Sequence, residues 1–523
     1  MGRFINPGDE LFRQAINSEI YVDKTGLLNY TNRVILTSRK YLCVSRPRRF
    51  GKSMAASMVA AYYDRTVDAG KTFAGLEITR AENFDEHRNK YDVIQLNMQN
   101  FLSRTRDMDA FLQLLKRSVL WELFNLYPDY MYFDKTDLIG SLADVYTNTK
   151  RPFVIVIDEW DCIFREFKDN KEWQRLYLDF LRDWLKDNPG IALVYMTGIL
   201  PIKKYGTHSA LNMFREFSME DPLDLAPYVG FTTSEVKSLC EKYSRSFEEC
   251  QRWYDGYSFK TVAEVYNPHS VVEAISSGKF DTYWNQTESY EALKIYITMN
   301  FDGLRDSILK LLSGEHLPIN TKTFSNDMTT FQSVDDVLTL LMHLGYLGYD
   351  STKEEVFIPN QEIAREYYNA ITTTGWDIVV RALKRSEELL QAVLAKDAET
   401  VAKGIEEAHM ETSHIQYNDE NALSYTLSLA FYSARQKYKV FRELPTGKGF
   451  ADLVFLPRPT CQELPALILE LKWDKNAKTA IQQIKERCYV KALEDYTGSI
   501  LAVGINYDKE TRKHECIIEE YIK

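Results

Sequence analysis

No apolar run in the 523 residues approaches the roughly 18 that a membrane-crossing helix needs. The opening MGRFINPGDELFR has no signal-peptide apolar core, and MGRFIN lacks the Ser or Thr expected for myristoylation. Cysteine is scarce. The seven cysteines are an odd number, scattered and without a C-x-x-C pair, which argues against a disulfide framework or a zinc knuckle. Positive charge is not in excess: 64 Lys+Arg stand against 75 Asp+Glu, a formal net charge of −11. That balance excludes coating nucleic acid by bulk charge, though not a local basic groove. Neither an internal repeat nor a low-complexity tract is visible, so a solenoid is not expected. What remains is 45% hydrophobic and 13% aromatic, ample for sizeable cores. At roughly 150 residues per domain, three to four domains fit. The expectation is a soluble, cytoplasmic, multidomain protein with no membrane contact.

Up to residue 225, apolar β-rich runs alternate with helical patterns: YLCVS (41–45), VIQLNM (93–98), FVIVIDE (153–159) and IALVYMTG (191–198). Near-continuous apolar strands separated by helices imply a parallel sheet covered on both faces. Residues 226–385 read as mostly helical, with DVLTLLMHLGYLGYD (336–350) and EEVFIPN (354–360) forming the helix-then-hairpin outline of a winged helix. A charged helical stretch (377–411) leads into a last unit, 386–523. That unit has a helix (419–437), strands around 450–456 and 466–472, a helix (475–494) and a closing strand (499–506).

After the first strand comes RPRRFGKSMAASMVAAYYD. Strand, tight turn ending Gly-Lys-Ser, then helix is the phosphate-binding arrangement. Backbone N–H groups of Arg48, Arg49, Phe50, Gly51 and Met54 and the helix start would hold phosphate oxygens; Lys52 would reach the β/γ-phosphates and Ser53 would bind Mg²⁺. Arg46 stands where the usual first glycine falls, so a chance GKS at a helix start stays open from this segment alone. FVIVIDEW is a buried strand ending in two acids: Asp158 suits the Mg²⁺ shell and Glu159 suits orienting the attacking water. The same acid pair also fits a surface helix cap. Thr197, at a further strand tip, could sense the γ-phosphate. Arg165 and Arg215 are candidates for an arginine finger only by proximity to these motifs.

YVDKT (21–25), SRPRRFGKS (45–53), VIDEWD (156–161), TGILPIKK (197–204) and WYDGYSF–YNPHSV–YW (253–284) follow in an order that resembles the bacterial AAA-ATPase-like family. Its members usually carry a PD-(D/E)XK nuclease-like C-terminus. The resemblance makes Arg46 less anomalous, implies phosphate and magnesium roles for Lys52 and Ser53, and matches Asp158 and Glu159 to the Walker B pair. It implies roles for YVDKT and YDGY without their chemistry. Read from the residues alone, Asp255-Gly256 looks like a turn, and Tyr254 and Tyr257 like core packing.

In the last unit, Asp452 sits in ADLVF, and ALILELK carries Glu470 and Lys472. Strand alternation turns Glu470 and Lys472 the same way and Leu471 into the core. A hairpin bringing Asp452 beside Glu470 would set two carboxylates and an amine around one point. Such oxygen ligands suit Mg²⁺ or Mn²⁺, and the lysine can position water. This is the D…E-x-K arrangement of PD-(D/E)XK nucleases, and the resemblance implies metal-dependent phosphodiester cleavage. Glu420 could add a carboxylate; Gln483 and Tyr489 match the family's following helix. Glu-x-Lys pairs on strands are also common as solvated charges. Basic residues nearby (Lys448, Lys472, Lys475, Lys478, Lys485, Arg487) could line a phosphate-backbone groove or be a solvated face.

The expected fold class is α/β multidomain: a P-loop ATPase with a parallel sheet (1–225), a helical/winged-helix middle (226–385) and a PD-(D/E)XK nuclease-like α/β domain (386–523). The expected function is an ATP-hydrolysing protein that controls a metal-dependent nuclease acting on nucleic acid, with homo-oligomerisation or a protein partner. The alternative is a non-cleaving ATP-dependent switch or scaffold whose C-terminal domain only binds nucleic acid or protein.

Overall fold

The computed structural model describes residues 2–521 apart from 203, 206–207, 210, 285–287, 300, 313, 326–327, 330, 374–376, 413–430, 432–433, 447–448, 459–460, 487–495, 497 and 512. The chain divides into two compact units, Met1–Leu304 with His316–Tyr367 and Arg305–Glu315 with Tyr368–Lys523. Among the described residues no helix is long and apolar enough to cross a membrane.

The first unit is built on five parallel strands: β1 (Tyr41–Ser45), β2 (Asp92–Asn97), β3 (Phe153–Asp158), β4 (Ile191–Gly198) and β5 (Arg215–Phe217). Their order is β2-β3-β4-β1-β5. β1, β3 and β4 are buried at every position, which is why each reads as an unbroken apolar run. Helix α1 (Lys52–Tyr63) follows β1 and lies on the sheet through Ala55, Ala56, Val59, Ala60 and Ala61. Small side chains there let the helix axis approach closely. β5 is a three-residue strand with no periodicity to read; its pairing with β1 places it.

The stretch after residue 226 is not purely helical. Tyr257–Phe259 and Val262–Tyr266 pair as a hairpin, and Phe231–Thr232 adds a third strand. Aromatic and β-branched residues flanking a two-residue turn favour that hairpin. Helices Thr233–Lys242 and Phe247–Tyr254 and helix α2 (Pro268–Ser277) pack on it around Trp253, Tyr254, Tyr266 and Val271. Helix Val334–Leu344 runs into the antiparallel pair Gly348–Asp350 and Glu355–Phe357. In the YDGY segment, Tyr254 and Tyr257 are buried and donate to the carbonyls of Asp281 (2.9 Å) and Gly345 (2.6 Å). Gly256 has φ +95°, and a Cβ there would lie 2.2 Å from the Pro359 carbonyl oxygen, so glycine is required.

Helix Gln361–Thr373 carries two buried acids one turn apart. Glu362 accepts from the Ser270 hydroxyl (3.0 Å) and the Tyr283 N–H (2.7 Å), whereas neither oxygen of Glu366 has a hydrogen-bond partner among the described residues. Burial pushes Glu366 up to about 7. A folded pKa above the unfolded value means stability that is fully present below the ordinary carboxyl pKa and lost as pH rises through 7. The Glu366 carboxyl should therefore cost the first unit about 2–3 kcal/mol between pH 5 and pH 8. Burial raises Glu362 to about 7 as well, so Glu366→Gln should make the decline in melting temperature shallower without removing it. An unchanged pH profile in the variant would refute the assignment.

The second unit is a five-stranded sheet of β6 (Tyr438–Thr446), β7 (Gly449–Pro457), β8 (Ala466–Trp473), β9 (Ile500–Asp508) and β10 (Lys513–Tyr521), in that order. β8 and β9 are parallel and the other pairs antiparallel. Leu467, Leu469, Leu471, Val503 and Ile505 pack on one face with helices Asp377–Leu394 and Ala398–Thr412. Ala466, Ile468 and Ala502 pack on the other with Ile481 and Ile484 of α3 (Ala477–Glu486). The sheet has two more strands than the sequence suggests. β10 (KHECIIEEY) is largely polar at its exposed positions, and so reads weakly as a strand.

Candidate functional site

Gly51 takes φ +88° at the start of α1, a left-handed turn that side chains resist, and this aims the helix N-terminus back across the loop 46–50. The Lys52 ammonium is buried and donates to the carbonyls of Arg46 (3.0 Å) and Pro47 (2.8 Å). Burial pulls Lys52 below its ordinary pKa, opposed by Glu159 and Asp158. The departure from the usual loop glycine now has a physical account. Arg46 is wholly buried, and its Nη1 donates to Ser45 O (2.9 Å) and, at the end of β5, to Phe217 O (3.3 Å) and Ser218 O (2.9 Å). Its guanidinium also lies over the Phe259 ring, 5.2 Å from the centroid. Burial lowers Arg46 to about 10, so it is still a cation at neutral pH. It ties the start of the loop to the neighbouring strand end, where a glycine would leave the loop loose.

At the tip of β3, Asp158 accepts from the Thr197 hydroxyl (2.5 Å) and the Asn97 amide (3.3 Å). Glu159 has φ +53°, a left-handed non-glycine conformation that costs about 1–2 kcal/mol. Its N–H donates to Asp158 Oδ1 (3.0 Å), and its carboxylate is bound by Arg165 Nη2. Arg165 Nε also lies 3.3 Å from Asp161. Burial raises Glu159 above the ordinary carboxyl range, and Arg165 opposes the rise. Asp161, fully buried, accepts the N–H groups of Ile199 (3.0 Å) and Leu200 (2.8 Å), so it clasps the segment leaving β4.

A cleft of about 960 Å³ gathers these parts. Arg48, Arg49, Phe50, Gly51, Lys52, Ser53, Met54, Glu159 and Arg165 are among its lining residues. Thr197 is not among the lining residues; it acts on Asp158 instead. Arg215 does not line the cleft either and bonds the Tyr30 hydroxyl at 3.0 Å. The lining also has an apolar part, Ile20, Tyr21, Val22, Phe231 and Val272, and takes in His269 at the start of α2. Sequence reasoning missed these wall residues because tertiary folding brings them from three distant segments. YVDKT now has a local role: Lys24 binds Glu235 (2.5 Å) and the Pro227 carbonyl (2.7 Å), and Asp23 accepts from Thr25 and from Glu77 N–H (2.6 Å). Those bonds fix the wall that Tyr21 and Val22 present.

In the second unit Glu470 is buried and accepts from Lys472 Nζ (2.9 Å) and from the Gln483 amide of α3. Lys472 also donates to Leu471 O (2.9 Å). The antiparallel pair Leu453–Leu469 makes Asp452 and Glu470 the next positions along β7 and β8. The Asp452 side chain, Glu420, Tyr489, Lys448 and Arg487 lie outside the described residues. Lys485 pairs with Glu519 (2.5 Å) at the surface. Among the described residues no group of three His, Cys, Asp or Glu is placed to hold a metal ion. Glu470, with its lysine and amide neighbours, is nevertheless an oxygen donor of the type hard cations use.

Residues 10–207 match the family described as "Predicted AAA-ATPase". Residues 419–516 match the "PD-(D/E)XK nuclease superfamily". An AAA-ATPase-like domain is joined to a PD-(D/E)XK nuclease-superfamily domain. The AAA-ATPase-like match takes in the loop 45–53 and the acids at 158–159; the nuclease-superfamily match takes in Asp452, Glu470, Lys472 and Gln483. No curated protein matches significantly. Solved structures similar to the chain include Cdc6p from Pyrobaculum aerophilum, at 10% identity over 70% of this chain and 98% of that one, with a TM-score of 0.22. The ORC2 protein of Aeropyrum pernix, in ADPNP-ADP complexes, is 11% identical over the same shares, with a TM-score of 0.24. Scores this low carry no argument about function.

Proposed function

We propose that the AAA-ATPase-like domain binds and hydrolyses ATP and that its nucleotide state controls a metal-dependent nuclease site in the C-terminal domain. The observation that carries the reading is the cleft itself. Its lining joins Lys52 and Glu159 with the apolar side chains of Ile20, Val22 and Phe231 and the ring of Tyr21. Lys52 and the backbone N–H groups of the loop hold phosphate oxygens, and the base lies against Ile20, Tyr21, Val22 and Phe231. Ser53 and Asp158 have the hydroxyl and carboxylate that suit Mg²⁺, which when bound neutralises charge on the β- and γ-phosphates. Glu159 orients the attacking water once its carboxylate leaves Arg165. In the second domain Asp452, Glu470 and Glu420 are the proposed metal-holding carboxylates, with Lys472 positioning water.

Glu159→Gln separates binding from turnover. The variant should hold ATP with near wild-type affinity, because phosphate contacts are kept, and hydrolyse it about 10²–10⁴-fold more slowly. Cleavage of plasmid and single-stranded DNA with Mg²⁺ or Mn²⁺, with and without ATP, tests the coupling. Cleavage that is metal-dependent and differs between wild type and Glu159→Gln only when ATP is present is the expected result. Absence of cleavage under every condition would leave the non-cleaving switch as the better reading.

A further inference from the structure

A second cavity, of about 280 Å³, shares Ser53, Asn97 and Asn100 with the main cleft. Arg3 and Arg104 border it, with Gln95 and Ser57 adding neutral polar groups. Asp158 is the one acid among its lining residues, and that carboxylate is already engaged by Thr197 and Asn97. Phe4, Pro7, Leu11, Leu96 and Phe101 add apolar surface, and two arginines against one engaged carboxylate make the recess net positive. The recess is also held in place. Glu122 accepts the N–H groups of Arg3 (2.9 Å), Phe4 (2.8 Å) and Ile5 (2.8 Å), which pins the segment carrying Arg3. The Arg3 guanidinium lies 5.2 Å from the Phe4 ring centroid, and Phe4 packs on Phe101 at 5.2 Å.

We propose that this recess is a phosphate site, a station for the orthophosphate that hydrolysis releases. The inference rests on the ATP reading of the main cleft. Attack by water forms a new P–O bond and breaks the bond between the γ-phosphorus and the ADP oxygen, leaving ADP, HPO₄²⁻ and a proton. Ser53 and Asp158 line the recess and none of Ile20, Tyr21, Val22, Phe231 and Val272 does, so the product can leave the loop while ADP stays. Arg3 and Arg104 supply forked donors matched to phosphate, and the amides of Gln95 and Asn100 supply neutral ones.

The test uses the full chain saturated with ADP·Mg²⁺ and titrated calorimetrically with orthophosphate. Wild type should bind phosphate. The Arg3→Gln/Arg104→Gln double variant should bind it at least about tenfold more weakly, the worth of one charge-assisted contact. Its affinity for ADP should stay within about twofold, because neither arginine lines the main cleft. Thermal melting of the variant should match wild type, since both side chains are exposed. Phosphate affinity unchanged in the double variant but lost in Lys52→Met would place the anion in the loop 46–53 and overturn the proposal. So would wild type that binds ADP and takes up no phosphate. If ADP itself fails to bind, the ATP reading falls, and the same titration without nucleotide still reads the recess through the double variant.

Discussion

Replacing Lys52 by methionine should weaken ATP binding by at least about a hundredfold, roughly 3 kcal/mol. An ammonium has three N–H donors, and in the structure two of them go to the Arg46 and Pro47 carbonyls. One is left for phosphate, so the same group both closes the loop and meets the ligand. Burial disfavours its charged form, and a phosphate at the site would favour it. Methionine keeps most of the apolar stem, so the surroundings of α1 stay packed while both roles of the nitrogen are lost. Some loosening of the loop is expected too, since two carbonyls lose their donor. The thermal midpoint separates the effects: a small fall with a large loss of ATP affinity is the predicted pattern. Equal calorimetric affinity in wild type and variant would remove Lys52 from the nucleotide site.

The second large effect is expected at Asp452. Adding Mn²⁺ or Mg²⁺ should raise the melting temperature of the C-terminal domain, by about 2.7 kcal/mol of stability at a hundred times the dissociation constant. Asp452→Ala should abolish both that gain and any DNA cleavage. Leu453 stands opposite Leu469, and Val454 shares a face with Ile468, so positions 452 and 470 follow next on that face of the sheet. Two carboxylates serving one ion sit within about 5 Å, from metal–oxygen bonds of 2.0–2.6 Å. ATP binding should be untouched, because the loop at 46–53 belongs to the other compact unit. Nuclease activity that survives Asp452→Ala would put the active site elsewhere.

The parts legible in the sequence are those where one short segment carries its own chemistry. FVIVIDE shows a buried strand ending in acids, and FGKSMAAS a turn entering a helix, because backbone geometry alone brings their groups together. ALILELK likewise shows its alternation: Glu470 and Lys472 meet while Leu469 and Leu471 enter the opposite core. What escaped depends on distant segments. Arg46 looked like a defect in the loop until the carbonyls of Phe217 and Ser218 gave it a partner. Arg165 was a candidate by nearness only, and its hold on both Glu159 and Asp161 needs the turn at φ +53°. The apolar wall joins residues 20–22, 231 and 272, which no local period connects. β10 has polar residues on its exposed positions and no apolar run to mark it.

The order β2-β3-β4-β1-β5 has a consequence for how the protein is made. β1 has no sheet neighbour in the chain until β4 and β5 exist, and those end at residues 198 and 217. At about 5–20 residues per second a ribosome needs on the order of 8–30 s to go from Ser53 to Phe217. Throughout that interval YLCVS and the phosphate loop behind it cannot take their final form. Contacts so far apart in sequence also slow folding after release, since loop closure precedes any reward from pairing. The nascent chain therefore spends its early life with a β-prone apolar segment unpaired, and chaperone demand should fall sharply once residue 217 has emerged.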